Sequence, residues 1–305
     1  MLQFAARNAA VADAALGDVF RYVERTATSR RGAELLSALL PYYERLAGDS
    51  GLSPQKAAEV NGVLGVCAFR SGDYALAEQA FRRVIDRQPS AAALNRLAET
   101  LRRLKRTDEA LAITQRVADG YAGSDDVAER YEAALALETL GRQSRHHADR
   151  KRAFEIARAL RTADPENPDF RFLYARLLAE HPSLAQTTST DTGDPENAYL
   201  LLSNLSADYP DRSEYSRALV AAMDRRLRKA KNPQAIDRAD VELALDTADR
   251  LIGRYPNVPD IVSSVIAFRD SYSAYLQKIG DRKQASRERI RTSGMLELLS
   301  HSAEW

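Results

Sequence analysis

Apolar positions recur with helical spacing along the chain, in segments rich in Ala, Leu, Glu and Arg that turn-forming residues separate. No segment alternates Val, Ile and Thr as a half-buried strand does, and no hairpin dipeptide joins two such runs. The pattern predicts helices, and the helices come in pairs. Residues 58–90 show one pair most clearly: Leu64-Gly65 is followed by Ala68, Gly72, Tyr74, Ala77, Phe81, Val84 and Pro89. Gly65 and Ala77 are small where two antiparallel helices must approach closely, and Tyr74 and Phe81 fill the space beside them. Gly72 with Asp73 makes the turn, and Pro89 ends the second helix.

A shift of 33 residues gives a second pair, with Leu97-Ala98, Leu101, Ala110 and Val117 at the same places. Its turn, Lys105-Arg106-Thr107-Asp108, lacks the Gly and the Tyr. Helices near 125–140 and 149–163 follow, with an enlarged turn between them that carries Arg142, Arg145, His146 and His147. Later second helices repeat Ala198, Leu202, Leu205 and Tyr209-Pro210 as Ala244, Ala248, Leu251 and Tyr255-Pro256, with first helices near 168–180 and 213–229. Insertions fall at Thr187 to Asp194, where Asp194-Pro195 restarts the helix, and at Lys231 to Arg238. A last pair spans 259–279 and 282–299, with Ala285 in the small position. At the other end, 3–26 and 31–47 read as one more pair, its inner face formed by Ala33, Leu36, Leu39, Leu40 and Tyr43, with a kink expected at Pro41.

The phrase at 58–90 resembles the tetratricopeptide repeat, which runs Leu-Gly, a small or aromatic residue, Gly-x-Tyr, Ala, an aromatic, Ala and Pro. Asn61 stands where that family often has Trp. The resemblance covers most of the chain and is specific between 58 and 118. It implies an all-α fold, an α-α superhelical solenoid of helix pairs with elongated or inserted later repeats. The organisation expected is a degenerate capping pair over 1–50, the best-matching pairs over 51–123, degenerate pairs with insertions over 124–256, and a long capping pair over 257–305. More loosely, Leu-Leu-Pro-Tyr-Tyr-Glu-Arg at 39–45 and Tyr-Pro-Asn-Val-Pro-Asp at 255–260 are similar to the repeat tails of certain bacterial serine/threonine kinases. That likeness implies a regulatory tail, with the Thr/Ser stretch at 187–192 as a phosphoacceptor.

Composition narrows the function. At 45% hydrophobic and 29% charged residues, the 305-residue chain can bury a core. A net charge of +1 withholds the long-range field of a general nucleic-acid binder. The single cysteine, Cys67, forms no internal disulfide and reads as a small packed residue. No apolar run approaches a membrane span. The charge within Met1-Leu2-Gln3-Phe4-Ala5-Ala6-Arg7-Asn8 is wrong for a signal peptide, so the expected location is cytoplasmic. Kinase, phosphate-cradling Gly-Lys and nucleophile-elbow motifs are absent, and the expectation is a chain without enzymatic activity, cofactor or metal. Adjacent His146 and His147 would point about 100° apart on a helix and share no metal geometry.

All but seven of the 44 basic residues are arginine. Arg102-Arg103-Leu104-Lys105-Arg106, Arg142 to Arg152, Arg225 to Lys231 and Arg282-Lys283 fall at turns inside pairs. Asp125-Asp126, Asp164, Glu166, Asp169, Asp208, Asp211, Glu214 and Asp260 fall at turns between pairs. In stacked repeats this predicts one basic and one acidic edge. Such edges give a second alternative, a homo-oligomer that assembles edge to edge. The family resemblance places the binding groove along the first helices. It implies Glu59, Val66 and Phe69 from one repeat, Asn95, Glu99 and Arg102 from the next, then Tyr131, Phe172 and Arg176. Gly62 and Val66 stand where a Lys/Asn clamp for a terminal carboxylate would be needed. The mixed apolar and Arg/Glu lining suits a protein partner that offers an amphipathic helix or extended peptide.

Overall fold

The computed structural model describes residues 30–48, 51–143, 147–181, 198–230, 232–256 and 258–302, and regular structure among them is helical throughout. The chain divides between Leu160 and Arg161 into two compact units. The first holds α1 (Arg30–Ala47), α2 (Pro54–Ser71), α3 (Tyr74–Arg87), α4 (Ala91–Arg103), α5 (Thr107–Tyr121), α6 (Val127–Gln143) and most of α7 (His147–Ala163). The second holds α8 (Pro168–Glu180), α9 (Ala198–Asp208), α10 (Ser213–Lys229), α11 (Arg238–Arg254), α12 (Pro259–Lys278) and α13 (Arg282–Ser302). This is an all-α helical-repeat fold.

Local chemistry sets the helix ends. Ser53 accepts a hydrogen bond from the Lys56 amide at 3.2 Å, with Pro54 in the first turn. Asp73, Ser90, Asn167, Asp237 and Asp281 cap α3, α4, α8, α11 and α13 in the same way. Three described residues have left-handed backbone: Gly72 (φ 87°), Gly280 (φ 92°) and Lys105 (φ 64°). All three lie in turns inside a helix pair. Lys105 stands 33 residues after Gly72 and makes the same turn without glycine, at a steric cost.

In the first unit α2 packs on α3, α3 on α4, α4 on α5, and α5 on α6. The Phe81 ring lies against the backbone of Gly65, where a Cβ would come within 2.6 Å of the ring. Ala77 and Cys67 are buried without remaining exposure. Asn61, in place of an aromatic residue, is also fully buried, and its Nδ2 donates to the Ala57 carbonyl at 2.7 Å. In α1, which continues through the exposed Pro41, Tyr43 joins the core and Leu39 and Leu40 pack against it.

In the second unit first helices α8, α10 and α12 pack in succession, with α9, α11 and α13 as their partners. One core runs from Ala175 through Met223 and Phe268 to Ala285. There the Ser273 hydroxyl donates to the Ala285 carbonyl at 3.0 Å, which joins α12 to α13 at the small position of the last pair.

Between Arg142 and His147 the structure corrects the expected enlarged turn. Helix α6 continues to Gln143 and α7 starts at His147, so most of the extra residues lengthen the helices. The contact is tight: Arg150 Nε donates to the Gly141 carbonyl at 2.7 Å. His147 is exposed on the first turn of α7. The insertion before α11 is a short 3-10 turn, Pro233–Ala235, beside which Ile236 is buried. The expected helix at 3–26, the inner-face side chains Ala33 and Leu36, His146, and the segment with Thr187 to Asp194 lie outside the described residues or side chains.

Candidate functional site

Helix α2 places Val66, Phe69 and Arg70 on one face, and α4 places Arg96, Glu99 and Arg103 on the face opposite. With Phe81 from α3 beneath, these residues line a concavity of about 190 Å³. The spacing explains the grouping, since residues three, four and seven apart share a helix face. Val66 is nearly buried and Phe69 half-buried, while Arg70 and Arg103 are exposed, so an apolar floor carries a charged rim. The Arg103 guanidinium lies 5.9 Å from the centre of the Phe69 ring, within cation–π range. Tyr74 meets the same ring edge-on at 5.4 Å.

Glu99 is the one carboxylate of this lining. It accepts from Arg102 Nη2 at 2.6 Å and Nε at 2.8 Å, and lies 3.3 Å from Arg103 Nε. Arg102 is turned towards its own pair, its Nη1 reaching the Thr114 hydroxyl of α5 at 3.5 Å. Asn95 Nδ2 donates to the Glu132 carbonyl at 2.9 Å and to its carboxylate at 2.7 Å, which joins α4 to α6. Glu59 is exposed further along α2, 3.4 Å from Lys56 Nζ, and Tyr131 is half-buried on α6.

Of the nominated residues, Val66, Phe69 and Glu99 therefore meet around one concavity, whereas Asn95 and Arg102 make contacts within the repeat stack. Phe172 and Arg176 belong to the second unit. The Arg176 guanidinium lies 5.2 Å from the Phe172 ring centre, and that ring is 4.7 Å from Tyr215 and packs against the core. Burial raises the Tyr215 phenol above its ordinary pKa, and the hydroxyl donates to Asp169.

Arg70, Arg96 and Arg103 are the functional candidates that sequence reasoning passed over. The signal was available: 66, 69, 70 and 96, 99, 103 are helical faces in register, but the arginine clusters drew attention to the turns instead.

At those turns most described arginines sit beside acids. Arg106 bridges Glu78 at 2.7 Å and Glu109 at 2.5 Å, and its hydrogen bond holds the Glu109 carboxyl below the usual carboxylate range. In the second unit Arg225 pairs with Glu180, Arg226 with Asp240, Arg228 with Asp224, Arg212 with Asp169, and Arg254 with Asp211. Among the described residues no cluster of His, Cys, Asp and Glu is placed to hold a metal ion, and no helix is long and apolar enough to cross a membrane.

Comparison with known families matches the tetratricopeptide-repeat model twice, over residues 26–92 and 63–125. No curated protein matches the sequence. Among solved structures, the chain is similar to a tetratricopeptide repeat protein from Parabacteroides merdae, at 14% identity and TM-score 0.36, over 81% of this chain and 99% of that one. It is also similar to the C-terminal part of a repeat-containing protein of the same kind from Cytophaga hutchinsonii, at 14% identity and TM-score 0.26, over 80% and 98% of the two chains.

Proposed function

Tetratricopeptide repeats occupy residues 26–125 of this chain, and from that premise we propose that it is a non-enzymatic scaffold that binds a protein partner in the groove between first helices α2 and α4. Repeats of this kind are a protein-binding family and are generally without catalytic activity. The observation that carries the reading is the concavity itself, formed by Val66, Phe69, Arg70, Phe81, Arg96, Glu99 and Arg103. It is preformed on rigid helices, so little ordering entropy opposes binding. Half-buried Phe69 offers an apolar contact that water serves poorly, and the charged rim supplies orientation.

Affinity capture from native cells with the intact chain, Phe69→Ala and Arg96→Glu tests this. The expected result is a partner retained by the intact chain and lost by both variants, with far-ultraviolet circular dichroism unchanged. A partner held equally by all three chains would place binding elsewhere.

A further inference from the structure

Many arginines of the second unit are held by acids: Arg212, Arg225, Arg226, Arg228 and Arg254 each pair with a carboxylate. The last turn of α12 and the first half of α13 depart from that pattern. Lys278, Arg282, Lys283, Arg287 and Arg289 are all exposed, and none has a carboxylate partner among the described residues. The two acids interspersed with them are already used. Asp281 accepts from the Gln284 amide at 3.0 Å as the cap of α13, and Glu288 is bonded to the buried Arg269 at 2.6 Å. Positive charge therefore gathers here, although the chain as a whole carries only +1.

Apolar side chains stand among these cations. Ile290 is 75% exposed and Leu296 51%, and Ile279 is exposed in the turn before α13. Residues three, four and seven apart share a helix face. Lys283, Arg287 and Ile290 thus form one stripe of α13, and Arg282, Arg289 and Leu296 form the stripe beside it. Ala285 and Thr292 are buried on the opposite side, where α13 packs on α12. Ser286 and Ser293 flank Ile290 with short side chains, and a Cβ at Gly294 would meet nothing within 4 Å. Ile290 is therefore a knob on an open face. That face runs about 20 Å from Lys283 to Leu296, at 1.5 Å per residue.

A second copy of the chain offers this face little, since Asp169 and Asp211 at its turns between pairs are bonded to Arg212 and Arg254. A folded protein would have to present a socket for Ile290 ringed by acids. A bilayer interface presents negative headgroups over an unbroken plane and admits an apolar side chain between them without a preformed socket. Beyond the groove reading and independent of it, we infer that the exposed face of α13 docks on an anionic lipid surface. Lys283, Arg287 and the flanking cations meet the headgroups, and Ile290 and Leu296 sink between them. The contact is peripheral, because α13 lies along the surface and does not span it.

The test is co-sedimentation of the full chain with two kinds of vesicle, one of phosphatidylcholine alone and one with about a third of it replaced by phosphatidylserine. Binding is expected to the second kind only, and to weaken as salt rises. Lys283→Glu/Arg287→Glu should lower it at least about tenfold, and Ile290→Ser roughly fivefold. Both variants alter exposed side chains, so far-ultraviolet circular dichroism should be unchanged. Arg83→Glu/Arg116→Glu, an equal charge change at exposed positions of the first unit, should bind nearly as the intact chain does.

Equal binding to both vesicles overturns the inference, as do equal losses from the two charge-reversed variants or an Ile290→Ser variant that binds unchanged. A chain that sediments without vesicles overturns it in favour of a second copy. No binding to either vesicle overturns it in favour of an acidic protein at this face. The assay contains no protein partner, so each of these results leaves the groove reading standing.

Discussion

Phe81 lies with its ring against the backbone of α2, and the consequences differ for two glycines three residues apart. At Gly65 a methyl group would overlap the ring, whereas at Gly62 nothing lies within 4 Å. Gly65→Ala is therefore expected to lower stability by about 1–3 kcal/mol through overpacking. Gly62→Ala should raise it by roughly 0.4–1 kcal/mol, because alanine narrows the unfolded ensemble and suits a helix interior. Urea unfolding of the two variants decides both signs. Lys105 gives a matching test, since it holds the left-handed turn that Gly72 and Gly280 make without strain. Lys105→Gly is expected to gain on the order of 1 kcal/mol, the strain relieved less the added unfolded-state entropy. A loss of stability would mean that the Lys105 side chain contributes more than its backbone costs. The small positions and the Gly72 turn were legible from spacing alone. The strained Lys105 was legible only as a missing glycine.

At the scale of helices, α12 carries the feature least visible in the sequence. Arg269 is fully buried, yet its position continues the apolar stripe of Val262, Val265, Ile266, Tyr272 and Leu276. Its guanidinium bonds Glu288 of α13 at 2.6 Å and also Asp249 of α11, while Arg291 reaches the same Asp249 at 2.8 Å. The arginine thus ties three helices through charge. Removing it leaves carboxylates without their central partner, and Arg269→Ala should cost about 3–5 kcal/mol. The exposed Arg291→Ala should cost less than about 1 kcal/mol. Urea unfolding followed by circular dichroism measures both, and equal effects would remove Arg269 from its role as a clamp. A charged residue is assigned to the surface by default, so pattern reading gave no warning of it. Helices α8 and α10 were readable nearly to the residue, because Asn167-Pro168 and the Tyr209-Pro210 turn mark their starts. The extra residues after α6 were misplaced because helix formers such as Arg142 and Gln143 extend a helix as readily as they fill a turn.

For the whole molecule, the net charge of +1 is a balance of 44 basic against 43 acidic residues, and many of the described ones pair locally. Arginines at the turns meet carboxylates one or two elements away, as in Arg106 with Glu78 and Arg254 with Asp211. Arginines paired in this way are less able to bridge to a second copy. The chain without its partner is expected to keep one sedimentation coefficient, that of a monomer, from low to high salt. A larger species that dissociates as salt rises would instead favour edge-to-edge assembly. The candidate groove was half legible: the first-helix stripe pointed to Val66, Phe69 and Glu99, whereas its rim needed the orientation of α4 against α2. The central claim is that a protein partner lies against that stripe. Its most direct test is photo-crosslinking in native cells from position 62, one turn before Val66 on the same face of α2 with open space around it, and from position 83, on the exposed side of α3. The account predicts an adduct to one partner from 62 and none from 83; adducts from 83 alone, or equally from both, would contradict it.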